Sequence, residues 1–78
     1  MLNYSKLSKS QKAVIDIMRQ GGELTFILPL CKFQLTNEQG LTLTMNNQTG
    51  NSLELGHYIL KYMQANGKTF YKLNPDIK

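Results

Sequence analysis

The stretch NSLELGHYILKYMQANGKTFYKL, residues 51–73, decides how the chain divides into elements. Asn51 is a good helix N-cap, and Glu54 three positions later completes a capping-box pattern, its carboxylate reaching back to the cap's own N–H. Stepping about 100° per residue from Leu53, Leu55, Ile59, Leu60, Tyr62 and Met63 gather on one broad side. Glu54, His57, Tyr58, Lys61 and Gln64 gather on the other. Asn66-Gly67 supplies the left-handed residue that a helix C-terminus uses. The spacing therefore predicts a helix from the Asn51 cap to about Gln64, then a strand over Thr69 to Leu73, with Phe70 on one face and Tyr71 and Leu73 on the other. A helix with one broad apolar side needs a cover, which the rest of the chain must supply.

Upstream, Ser8 and Gln11 form an S-x-x-Q capping box ahead of a second amphipathic segment. Val14, Ile17 and Met18 make its apolar stripe; Lys9, Lys12, Asp16, Arg19 and Gln20 lie opposite, and Gly21-Gly22 ends it. Leu24, Phe26, Leu28 and Leu30 then alternate with Thr25, Ile27, Pro29 and Cys31, the period of a strand. The alternation changes phase near Lys32, after which Phe33 and Leu35 are the inward residues. A one-residue slip flips every side chain to the other face, so a bulge or tight bend is required within residues 29–32. Pro29 has no N–H to donate, which places it at an edge or at the bend itself. Residues 37–40, NEQG, form a turn, and Leu41, Leu43 and Met45 alternate with threonines as a second, antiparallel strand. A polar loop, residues 46–51, leads back to the opening stretch. The expected fold is α+β, in the order α-β-β-α-β: a three-stranded antiparallel sheet with two helices on one face. It forms one domain over residues 1–78, with residues 1–6 an arm and 74–78 a tail, both expected to be flexible.

Composition limits the function classes. A chain of 78 residues with 41% hydrophobic content is one small globular domain. It contains no apolar run near the roughly 20 residues that a membrane span needs, and its first residues, polar and basic, lack a signal-peptide core. A single cysteine, Cys31, cannot pair internally, so a reducing, cytoplasmic location is expected. The net charge of +4 is uneven. Lys6, Lys9, Lys12 and Arg19 face Asp16 alone near the start, and Lys61, Lys68, Lys72 and Lys78 face Asp76 near the end. Such a distribution suits a polyanion, although sparse lysines also serve simple solvation.

Catalytic chemistry has little to work with. His57 is the one histidine, read here as an exposed contact; Cys31 is read as a small core thiol rather than a nucleophile. The carboxylates are scattered, with no acid–base pair, and no cluster has metal-ligand spacing. Gly67-Lys68-Thr69 matches the last positions of a P-loop without its leading glycine or following helix. Gly56, inside the expected helix, is explained by close approach of a neighbour at a cost of up to about 1 kcal/mol. No enzyme activity, cofactor or metal is expected. What remains is binding. His57, Tyr58, Lys61, Lys68 and Lys72 on the second helix and last strand, with Lys9, Lys12 and Arg19 on the first helix, mix lysine and aromatic residues as phosphate- and base-contacting surfaces do.

The phrase SKSQKAVIDIMRQGGEL, followed by strands, a late helix and a closing strand ending YKL, resembles small αββαβ proteins of bacteriophages and other mobile elements, loosely related to winged-helix domains. Here strands separate the two helices, so the adjacent helix pair of a helix-turn-helix is absent. The resemblance implies a small accessory protein without catalysis. It would bind DNA or RNA or, as an alternative, act as a protein–protein module that blocks a host defence protein, as anti-CRISPR proteins do. An exposed apolar edge around residues 27–33 would favour the protein partner, and an unpaired edge strand would also serve a homodimer.

Overall fold

The structure, a computed structural model, describes residues 2–43 and 45–78. Among these, two helices and five strands follow a short 3₁₀ turn at Tyr4–Lys6. Helix α1, Lys9–Arg19, begins as its capping box predicts: Ser8 Oγ accepts from the Gln11 amide at 3.2 Å, and Gln11 Oε1 accepts from the Ser8 amide at 2.8 Å. Val14, Ile15 and Met18 are its buried residues. At its end the Gly21 N–H donates to Met18 C=O and the Gly22 N–H to Ile17 C=O, with Gly21 in the left-handed region at φ 102°. This is a Schellman termination. Gly22 has a separate reason to be glycine: a Cβ there would stand 2.5 Å from Ile17 Cγ2 and 2.8 Å from the Thr36 carbonyl oxygen.

Strands β1, Glu23–Ile27, and β2, Lys32–Thr36, pair antiparallel, with Leu24 opposite Leu35 and Phe26 opposite Phe33. The phase change within residues 29–32 is thus a complete chain reversal through residues 28–31, where Cys31 takes φ 51°. The single strand expected there is two strands. Strand β3 is only Thr42–Leu43, paired to Thr36 and Leu35; of the wider strand expected over residues 41–45, Thr44 lies outside the described residues.

The larger correction concerns the opening stretch. Helix α2 is Asn47–Leu55, capped by Asn46, whose Oδ1 accepts from the Gln48 amide at 2.8 Å. Asn51, expected to be the cap, is inside it. The helix stops at Gly56, the cap residue, and the two amides that follow close a second Schellman motif: His57 N–H to Glu54 C=O at 3.0 Å and Tyr58 N–H to Leu53 C=O at 2.9 Å. The second half of the expected helix is instead strand β4, Ile59–Ala65, and Asn66-Gly67 is the turn of a hairpin into β5, Lys68–Leu73. Asn66 (φ 53°) and Gly67 (φ 75°) hold the paired positive φ angles of a type I′ turn. The expected three-stranded sheet is consequently five-stranded, antiparallel throughout, in the order β3-β2-β1-β5-β4.

Both helices cover one face of this sheet. Val14, Ile15 and Met18 of α1 and Leu53 of α2 pack with Leu24, Phe33, Leu35, Ile59 and Tyr71 in a single apolar core closed at one end by Leu7. Gly50 lets α2 approach closely, since a Cβ there would lie 2.5 Å from the Phe33 ring. The terminal segments meet each other: Leu2 bridges to Ile77, and the amides of Tyr4 and Lys78 donate to the carbonyls of Lys78 and Leu2, each at 2.9 Å.

Candidate nucleic-acid interface

In a strand, alternate side chains point to opposite faces. With Leu24, Phe26, Phe33, Leu35 and Tyr71 committed to the helices, their neighbours form a second face that no helix covers among the described residues. The register orders this open face into rows across the strands. At one end Ile27 stands between Lys32 and Lys68, its direct partners on β2 and β5. The next row runs Gln34, Thr25, Phe70, Met63. Beyond it lie Thr36 opposite both Thr42 and Glu23, and Lys72 opposite Leu60.

The register of β4 against β5 slips between Lys61 and Met63, leaving Tyr62 as the extra residue of a bulge. The bulge turns Tyr62 toward Phe70, their ring centroids 6.3 Å apart. Tyr62 and Met63 are 51% and 47% exposed. Three lysines, Lys32, Lys68 and Lys72, and one acid, Glu23, share this face, so its field is positive. Thr25 is buried at its centre without a helix above it. The face therefore combines two aromatic rings inclined at 53°, cross-strand lysines and hydroxyl and amide groups, the kinds of group that a single-stranded nucleic acid uses for stacking, phosphate contact and base-edge hydrogen bonding.

The residues singled out in the sequence do not all meet here. Lys68 and Lys72 do. Lys61, opposite Tyr71, is on the helix-covered face, where its Nζ is 3.5 Å from Glu54 Oε2. Tyr71 Oη donates to the other Glu54 oxygen at 3.2 Å, and burial, followed by the nearby Glu54 charge and that hydrogen bond, pushes the phenol up to about 12. His57 is the left-handed residue after α2, and the half-buried Tyr58 donates its hydroxyl to Asn3 C=O at 3.2 Å. Lys9, Lys12 and Arg19 remain on α1, away from the open face. Lys12 Nζ and Arg19 Cζ lie 5.6 and 5.0 Å from the Tyr4 ring centre, and Tyr4 Oη donates to Asp16 at 2.7 Å. That hydrogen bond, chiefly, raises the Tyr4 pKa, and Arg19 opposes it. These cations are thus partly occupied within the protein.

Of residues 27–33, considered as an exposed apolar edge, Ile27 pairs on both sides, residues 28–31 are a hairpin loop that exposes Leu28 and Leu30, and Lys32 and Phe33 lie beyond the short β3. The sheet's long outer edge is β4. Sequence reasoning overlooked Lys32, Phe70 and Tyr62 as site residues. The signal for Phe70 and Tyr62 was the Asn66-Gly67 pair flanked by residues of strand type, a hairpin signature, whereas the place of Lys32 depends on the β1–β2 register.

Among the described residues no three His, Cys, Asp or Glu side chains come together as a metal site, and no helix is long and apolar enough to cross a membrane. Compared with family models, curated proteins and solved structures, the chain matches none.

Proposed function

We propose that this chain is a small non-catalytic accessory protein that binds nucleic acid by laying a single strand across the open face of its sheet. The observation that carries this reading is the grouping of Phe70 and Tyr62 with Lys32, Lys68 and Lys72 on a surface that no helix covers among the described residues. Bases stack on the aromatic pair, and the lysines neutralise phosphates on both sides of it. The helix-side cations named from the sequence, Lys9, Lys12, Arg19 and Lys61, have no part in this mode.

The test is a titration of labelled single-stranded DNA, single-stranded RNA and duplex DNA at several salt concentrations. Three phosphate contacts predict a log–log salt slope of about −2 for a single strand. Lys32→Glu with Lys68→Glu should abolish binding, whereas Lys12→Glu with Arg19→Glu should leave it within about twofold, since those cations lie off the face. Equal loss in both double variants, or no binding at low salt, would refute the reading.

A protein-binding role has one observation in its favour. The outer edge of β4, seven residues long, has no strand beside it among the described residues. An added strand from a second copy or from another protein could pair there, although the Tyr62 bulge interrupts the ladder. Light scattering for self-association and a pull-down for another protein, each repeated with Lys32→Glu and Lys68→Glu, distinguish this role from the first, since an edge-paired partner should be retained in that variant.

A further inference from the structure

The helices leave part of their own side of the sheet open. Beside α2, toward the two hairpin loops, lies a cavity of about 160 Å³. By liquid volume it has room for about five waters, the space of a side-chain-sized group and too little for a nucleotide. Its apolar wall is Phe26, Leu28 and Phe33, the two rings 4.9 Å apart and inclined at 70°. Its polar wall comes from Asn51 and Glu54, which share one side of α2, and from Lys61, Thr69 and Tyr71 on the facing strands.

Thr69 is the unusual member. It is 5% exposed and lines the cavity, and its hydroxyl makes no hydrogen bond among the described residues. Every enclosed side-chain nitrogen and oxygen among those residues has a partner, so this hydroxyl is reached from the cavity. Thr25, the other buried threonine, instead donates to Gln34 C=O at 3.4 Å. A buried hydroxyl left to a half-apolar cavity is the kind of group that orients a ligand. Glu54, the one acid on the wall, sets the sign of that ligand. Tyr71 Oη donates to one of its oxygens at 3.2 Å, while the Lys61 ammonium stands 3.5 Å from the other, on a side chain 63% exposed. The carboxylate is thus held from within and only loosely paired from outside.

We propose that this cavity binds a guanidinium on an alkyl stem, which takes the place of the Lys61 ammonium on Glu54. The Glu54 carboxylate, the Thr69 hydroxyl and the Asn51 amide oxygen are acceptors on separate elements around one space. A guanidinium brings five donors and no acceptor, spread over a plane that also packs on aromatic rings. An ammonium offers its donors from a single point and reaches fewer of these groups. A carboxylate would meet Lys61 but also the Glu54 charge, which Tyr71 keeps in place. The alkyl stem covers the apolar wall. The site lies on the face opposite the nucleic-acid surface and does not depend on that reading.

The test follows amide shifts of the labelled full chain with four probes: butylguanidinium, butylammonium, butylurea and butyrate. Butylguanidinium should give saturable shifts at Glu54, Thr69 and Tyr71, with affinity about tenfold above that of uncharged butylurea. Glu54→Gln should weaken it by about tenfold, and Thr69→Val by about three- to tenfold. Thr69→Val should also leave the urea midpoint unchanged or higher, because the fold loses no hydrogen bond. Lys61→Met should tighten guanidinium binding by removing the competing cation. Tighter binding of butylammonium or butyrate, weaker guanidinium binding in Lys61→Met, or an affinity that survives Glu54→Gln would overturn the proposal. So would the absence of saturable shifts. Free L-arginine and a capped arginine peptide then separate a small-molecule source from a protein one: binding of either supports the site, and binding of neither overturns it.

Discussion

His57 occupies the left-handed position that ends α2, whereas the matching position of α1 is Gly21. A side chain there costs about 1–2 kcal/mol, part of which glycine gives back through its greater unfolded-state entropy. His57→Gly should therefore stabilise the protein by roughly 0.5–1 kcal/mol, measured as an increase in urea midpoint at unchanged slope. Tyr71 carries a pH prediction. Its phenol is held neutral in the fold, raised from 10.0 to about 12 by burial and by Glu54. A group with a raised folded pKa lends stability below its unfolded value and loses it as pH rises through the folded one. Stability should accordingly fall between pH 10 and about 12. The difference between wild type and Tyr71→Phe isolates this effect from lysine titration: the variant should be less stable at neutral pH and lose less over that interval. Parallel curves would contradict the assignment. Neither residue's role could be read from the sequence, since His57 was a contact on a helix that ends before it, and the Glu54 partner of Tyr71 depends on tertiary packing.

At the level of elements, the capping box of α1 and its glycine stop were legible because they are local: every hydrogen bond involved spans no more than five residues. The phase change after Pro29 correctly located a break, but periodicity alone does not tell a bend within one strand from a reversal between two. The stretch after Gly56 misled for another reason. Leu53, Ile59, Leu60 and Met63 fit a helical stripe, yet Ile59 alone of β4 is buried in the core, and the bulge at Tyr62 breaks the period-two pattern that would have marked a strand. Asn66-Gly67 satisfies both a helix end and a type I′ turn, and only the pairing of β4 with β5 decides between them. A further device was not visible at all. Where β3 stops short, Asn47 takes the place of a strand: its Oδ1 accepts from the Phe33 amide at 3.0 Å and its Nδ2 donates to Cys31 C=O at 2.7 Å. Asn47→Ala should cost about 1–2 kcal/mol, chiefly by leaving the part-buried Phe33 amide unpaired, and amide exchange should accelerate at Phe33 before it does in β1. Unchanged protection there would show that β2 needs no such cover.

Across the whole molecule, the two faces of one sheet differ: the helix-covered face holds the core, and the open face carries Phe70 and Tyr62 with Lys32, Lys68 and Lys72. The sequence places Lys72 on a strand and Lys68 just before it, close to the observed β5, in which both face the open side. A helix from Asn51 to about Gln64 puts Lys61 on its polar side, next to the strand that carries Lys72. In the fold, Lys61 meets Glu54 on the opposite face, and Lys12 and Arg19 flank Tyr4. Net charge thus does not tell which cations share a face, while sheet register does. The most direct test of the account is a titration of isotope-labelled protein with an unlabelled single-stranded oligonucleotide, followed by amide and aromatic chemical shifts. The account predicts that changes concentrate at Ile27, Lys32, Phe70 and Lys72 and in the Tyr62 and Phe70 ring signals, with α1 undisturbed. Shifts confined to Lys9, Lys12 and Arg19, or none at saturating oligonucleotide, would contradict it.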